Sequence, residues 1–162
     1  MASSNNVSSL SPYHRGRSRP TLTAYVRQRN GVALGASGSL SAMLSRSLGA
    51  SSFQKFWNHW NPIWGYYLGY RVFKPLADRL PDPMALLGTF AVSGVLHDAA
   101  VSLFRMNLTV IFTPWFTLMG VLVLVSTALN FRYESTWWLN RAGLNLFQLV
   151  ATFLLVRWLM AP

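Results

Sequence analysis

The chain has 162 residues, 52% of them hydrophobic and only 11% charged. A soluble domain carries about 25% charged residues, so this composition points to a lipid solvent, and 14% aromatic residues supply rings that favour membrane interfaces. The net charge of +10 is read as a face for an anionic leaflet rather than for nucleic acid, and zero cysteines exclude disulfides and Cys-based metal sites.

Residues 1–52 are rich in Ser, Gly and Arg and contain no acidic residue. Such a segment buries too little apolar surface to offset its ordering entropy, so it is expected to be disordered or peripherally bound, with a short basic helix possible over 22–28. Its arginines precede no apolar core until residue 83, unlike the order of a secretory signal peptide. Residues 53–80 follow as interfacial helices. Ser52 is a possible N-cap, and Pro62 suits the first turn of a second helix over 63–80, kinked near Pro75.

Pro81-Asp82-Pro83 marks a turn. Three apolar stretches come next, at 84–104, 108–129 and 142–160, each close to the roughly 20 residues that cross a hydrocarbon core. The fold class expected is therefore all-α: an integral membrane helical bundle of about three transmembrane helices plus interfacial helices, occupying 53–162. With the N-terminus cytoplasmic, every Lys and Arg except Arg105 and Arg157 falls on the inner side, as the positive-inside rule favours.

Two short segments carry the chemistry. Phe56-Trp57-Asn58-His59-Trp60-Asn61 interleaves aromatics with amides, and Ser93-Gly94-Val95-Leu96-His97-Asp98 sits inside the first apolar stretch. An ionisable residue within a membrane span is costly and is a functional-site candidate. His97 lies two thirds along its span, and an imidazole is the usual general base. Ser93, four residues earlier, shares its helix face and is placed to orient the ring or bond its own backbone. Gly94 lets a substrate or a helix come close. Asp98 points about 100° away from His97 and is expected to pair with Arg71 or Arg105 instead. A packing role for His97 stands beside the catalytic one. Taken alone, Trp57 and Trp60 read first as interfacial anchors, and His59 as solvated. No phosphate-cradling Gly loop, metal-ligand spacing or Gly-x-Ser-x-Gly elbow occurs.

Together, Phe56, Trp57, Trp60 and Asn61 followed by the small-residue run ending in His97 resemble the membrane-bound O-acyltransferase family, over about residues 53–105. The resemblance implies acyl transfer from a thioester, typically acyl-CoA as co-substrate, to an acceptor hydroxyl, with no other cofactor and no metal. It implies His97 as the base and Asn61 as the group that positions the acceptor or the thioester carbonyl, with Trp57, Trp60 and Ser93 lining the substrate site. On charge alone, Lys55, Arg71 and Lys74 are candidates for the nucleotide phosphates. Family members usually have eight or more spans, so three helices are expected to need self-association or a partner subunit, besides membrane lipids, to enclose a tunnel. A non-catalytic accessory membrane subunit is the competing reading, with a proton path through His97 and Asp98 a third.

Overall fold

The computed structural model describes residues 19–134 and 136–161, and these contain helices and no strands. In chain order the helices are α1 (Leu22–Asn30), α2 (Ser39–Leu48), α3 (Phe53–His59), α4 (Pro62–Leu68), α5 (Lys74–Ala77), α6 (Asp82–Arg105), α7 (Phe112–Ala128) and α8 (Trp138–Leu159). Two of them, α6 and α8, are long and apolar enough to cross a membrane. The second apolar stretch, 108–129, yields α7, whose 17 residues reach about 26 Å.

Local chemistry places most helix ends. The Ser52 hydroxyl accepts from the Lys55 backbone N–H at 3.2 Å and starts α3. Asn61 caps α4 from a left-handed conformation (φ 40°), a region that Asn tolerates better than most residues. Pro62 then occupies the first turn, where no amide donor is needed. Between α4 and α5 the chain widens into a π turn at Gly69–Phe73. The kink anticipated at Pro75 takes this form because a proline ring clashes with the carbonyl four residues earlier, and the wider turn one step upstream relieves it.

In the N-terminal block, expected to be disordered or peripherally bound with a short helix possible over 22–28, the described part is helical, and α1 coincides with that short helix. Residues 1–18 lie outside the described residues, but the rest of that block forms α1 and α2, both packed on the bundle. Thr21 caps α1, and Gly31 ends it at φ 79°. The Asn30 side chain donates to Ser39 at 2.9 Å, and the Trp138 indole donates to the Ser45 carbonyl at 3.2 Å, joining α2 to the start of α8. Composition alone gave no sign of α2, because such a short helix is held by distant partners rather than by its own apolar surface.

The core lies where α3 crosses α7. Phe53, Phe56, Met119 and Val123 are almost fully buried there, with Ala50 and Phe116 beside them. Gly94 explains how α6 and α7 come together: a Cβ at that position would lie 2.5 Å from the Thr113 Cα. The approach that Gly94 permits is thus that of a helix. Outward faces of α6 and α8 carry large apolar side chains such as Leu103, Phe104, Phe147 and Trp158, all well exposed.

Candidate functional site

A cavity of about 180 Å³ lies between α3, α4, α6 and α7. It gathers five of the eight residues singled out from sequence: Trp57, Trp60, Asn61, Ser93 and His97. Lys55, Arg71 and Lys74 do not line it.

His97 is half-buried on α6 and stacks against the Phe116 ring, with centroids 4.7 Å apart. Its Nδ1 lies 2.7 Å from the Ser93 carbonyl oxygen. A carbonyl can only accept, so Nδ1 carries the proton and donates it. In the neutral ring Nε2 then keeps its lone pair, and it has no hydrogen-bond partner among the described residues. Ser93 therefore orients the ring through its backbone. Its buried hydroxyl is engaged separately, accepting from the Trp64 indole N–H at 3.4 Å, which links α4 to α6.

Asn61 serves two surfaces. Its Oδ1 accepts from the Trp64 backbone N–H at 3.2 Å as the cap of α4, while its amide nitrogen has no partner among the described residues. Trp57 is packed among rings rather than displayed as an anchor: it meets Phe53, Phe56, Phe90 and Phe116 at centroid separations of 5.2–6.0 Å. Trp60 stacks on Phe56 and stays partly exposed at the cavity rim.

The expectations for Asp98 and His59 are corrected, and Lys55 has an ion-pair partner of its own. Asp98 does not pair with Arg71 or Arg105. Its carboxylate accepts from the backbone N–H groups of Ile111, Phe112 and Thr113 at 2.8–2.9 Å and from the Thr113 hydroxyl at 2.6 Å. No side chain of α7 caps its own start, so the orphan donors and positive dipole end are satisfied by a carboxylate from α6. That capping fixes where α7 begins and makes it shorter than the apolar stretch it comes from. Lys55 is engaged elsewhere, 2.9 Å from both Glu134 and the Ser51 hydroxyl. Its ammonium group holds the Glu134 carboxyl below the usual carboxylate range. Finally, His59 is not simply solvated: its Nδ1 donates to the Arg29 carbonyl at 2.9 Å, tying α3 to α1, and burial lowers its pKa from the ordinary 6.5.

Several lining residues escaped sequence reasoning. Trp64, Gln54, Phe90 and Phe116 all face the cavity. Trp64 was the one with a signal, being three residues past the Asn61 cap on the same short helix. Gln54 Oε1 lies 3.4 Å from the Thr127 hydroxyl, which donates to the Val123 carbonyl at 2.7 Å. Among the described residues no cluster of three or more His, Cys, Asp or Glu has metal-holding geometry.

Compared with models of known protein families, with curated proteins and with solved structures, the chain matches none.

Proposed function

We propose that this is an integral membrane O-acyltransferase that moves an acyl group from a thioester, acyl-CoA being the natural donor, to an acceptor hydroxyl. The observation that supports it is the convergence of His97 and Asn61, 36 residues apart in sequence, on one aromatic-walled cavity, with the His97 Nε2 unengaged. In this reading the acceptor O–H gives its proton to Nε2 as its oxygen attacks the thioester carbonyl. The C–O bond forms, the C–S bond breaks, and the departing thiolate takes the proton back from the imidazolium. An Asn61 amide N–H stabilises the carbonyl oxygen as charge builds on it. The chain crosses the bilayer through α6 and α8, with α7 completing a three-helix bundle and the N-terminus on the cytoplasmic side. Homo-oligomerisation or a partner subunit closes the remaining wall.

The test is release of free CoA by the full chain in nanodiscs, over a panel of acyl-CoAs. His97→Ala is expected to lower the rate by about 10²–10⁴ while leaving the fold intact. Full activity in that variant, or no release from any donor in the presence of alcohols, overturns the reading. A non-catalytic accessory subunit is then favoured, an alternative supported by the wide apolar faces that α6 and α8 turn outward.

A further inference from the structure

The His97 cavity has a lining that is selective in itself. Among the described residues that face it there is no Asp, Glu, Lys or Arg. Burying an ion without a partner is expensive, so an uncharged group is favoured there over a carboxylate or a phosphate. The walls are hydrocarbon and ring: Trp57, Phe90, Phe116, Leu86 and Val123.

The polar groups left over define a pattern. Several are already committed. The Thr89 hydroxyl donates to the Ala85 carbonyl at 2.7 Å, the Trp64 indole donates to Ser93, and the Asn61 amide oxygen accepts from Trp64, while the Thr127 hydroxyl gives its proton to the Val123 carbonyl at 2.7 Å and keeps only a 3.4 Å contact with Gln54. What remains among the described lining residues is an acceptor at His97 Nε2, donors on the Gln54 and Asn61 amide nitrogens and on the Trp57 and Trp60 indoles, and an Asn58 amide that can do both. A hydroxyl is the small neutral group that both donates and accepts. A carboxylate or a fully ionised phosphate only accepts, and would meet the lone pair of Nε2.

We infer that this cavity binds an uncharged, predominantly apolar alcohol, its hydroxyl donating to His97 and accepting from a side-chain amide, its hydrocarbon body among the aromatic walls. The inference names the acceptor class of the acyl-transfer reading and rests on that reading only for the chemistry that follows binding.

The experiment measures binding without catalysis. The full chain in nanodiscs is labelled with a diazirine-bearing decanol, and adducts are mapped by mass spectrometry under competition from plain decanol or decyl phosphate. Adducts are expected on cavity residues such as Phe90, Phe116 and Trp64, and decanol should displace them at roughly tenfold lower concentration than decyl phosphate, a modest ratio for a charge difference. Gly65→Leu provides the blocking variant. Gly65 faces the cavity on α4, and a Cβ there would meet only the Tyr25 hydroxyl, at 3.7 Å. Leucine is also the better helix former. It should abolish cavity adducts while leaving those on the outward face of α8, at Phe147 and Leu154, unchanged. Equal competition by decyl phosphate, or cavity labelling that survives Gly65→Leu, overturns the inference. Alcohol binding with no CoA release would leave the site standing and remove the enzyme; CoA release from a protein that alcohols do not occupy would do the reverse.

Discussion

His97 and Asp98 are neighbours in one apolar helix, yet the two sides of α6 treat them in opposite ways. On the α7 side, the Asp98 carboxylate accepts four hydrogen bonds, three from backbone N–H groups and one from a hydroxyl. On the cavity side, the His97 ring makes one hydrogen bond, to its own helix. A buried polar group whose capacity is filled is holding the fold together. One with capacity left over, facing a cavity, is available to a ligand. Asn145 on α8 belongs with Asp98: fully buried, it donates to the Leu48 and Ala50 carbonyls and accepts from the Tyr133 hydroxyl, pinning the α2–α3 connection.

This contrast can be broken from either side. Replacing Asp98 by Ala strips three backbone donors and a hydroxyl of their acceptor, and is expected to cost about 3 kcal/mol or more of stability. A thermal midpoint in detergent within experimental scatter of wild type would show that α7 does not need this cap. His97→Ala should instead leave that midpoint nearly unchanged while removing activity, so the two neighbouring substitutions separate stability from chemistry.

Asn61→Asp sharpens the comparison, because aspartate is also a good N-cap and tolerates the same backbone conformation. It retains an acceptor for the Trp64 N–H but has no amide donor. Folding should persist and acyl transfer should fall, by roughly 10–10³-fold if that donor stabilises the carbonyl oxygen. Unchanged kcat would reduce Asn61 to its capping role.

Gly94→Ala tests the shared wall of the two sides. The added methyl would press on Thr113, next to the groups that bind Asp98, and overpacking of this kind costs about 1–3 kcal/mol. Circular dichroism melts report it, and an unaltered melt would mean that α6 and α7 can slide apart freely.

The smallest effects are pH effects. His59 has its folded pKa lowered by burial, so the unfolded chain takes up a proton first as pH falls. Its contribution to stability is complete above its ordinary 6.5 and declines as pH drops through 6.5 toward the lowered folded value. His59→Gln should flatten that part of the stability profile. Glu134 has the same sign at lower pH: its stabilisation by Lys55 is present above the ordinary carboxylate pKa and lost as pH falls through the depressed one. That pair is exposed, so Lys55→Met should shift the melting midpoint little at neutral pH.

What the sequence determined is largely what neighbours along the chain decide. Helix starts at Ser52 and Pro62, the apolar length of α6 and α8, and the presence of a histidine within α6 all follow from residues within a turn or two of each other, whereas the turn expected at 81–83 falls at 78–80 and Asp82 and Pro83 open α6. Periodicity and capping chemistry are local, so they are legible in one dimension. Tertiary structure decided the rest. The Asp98 partner, the length of α7, the order of α1 and α2, and the commitment of Lys55 to Glu134 depend on groups 13 to 93 residues away. Charge and composition could not identify these partners, because a carboxylate is satisfied as well by backbone N–H groups at a helix end as by an arginine. The cavity is also a tertiary product. It exists because a glycine lets α6 and α7 touch while the rings of α3 and α4 hold the space beside His97 open.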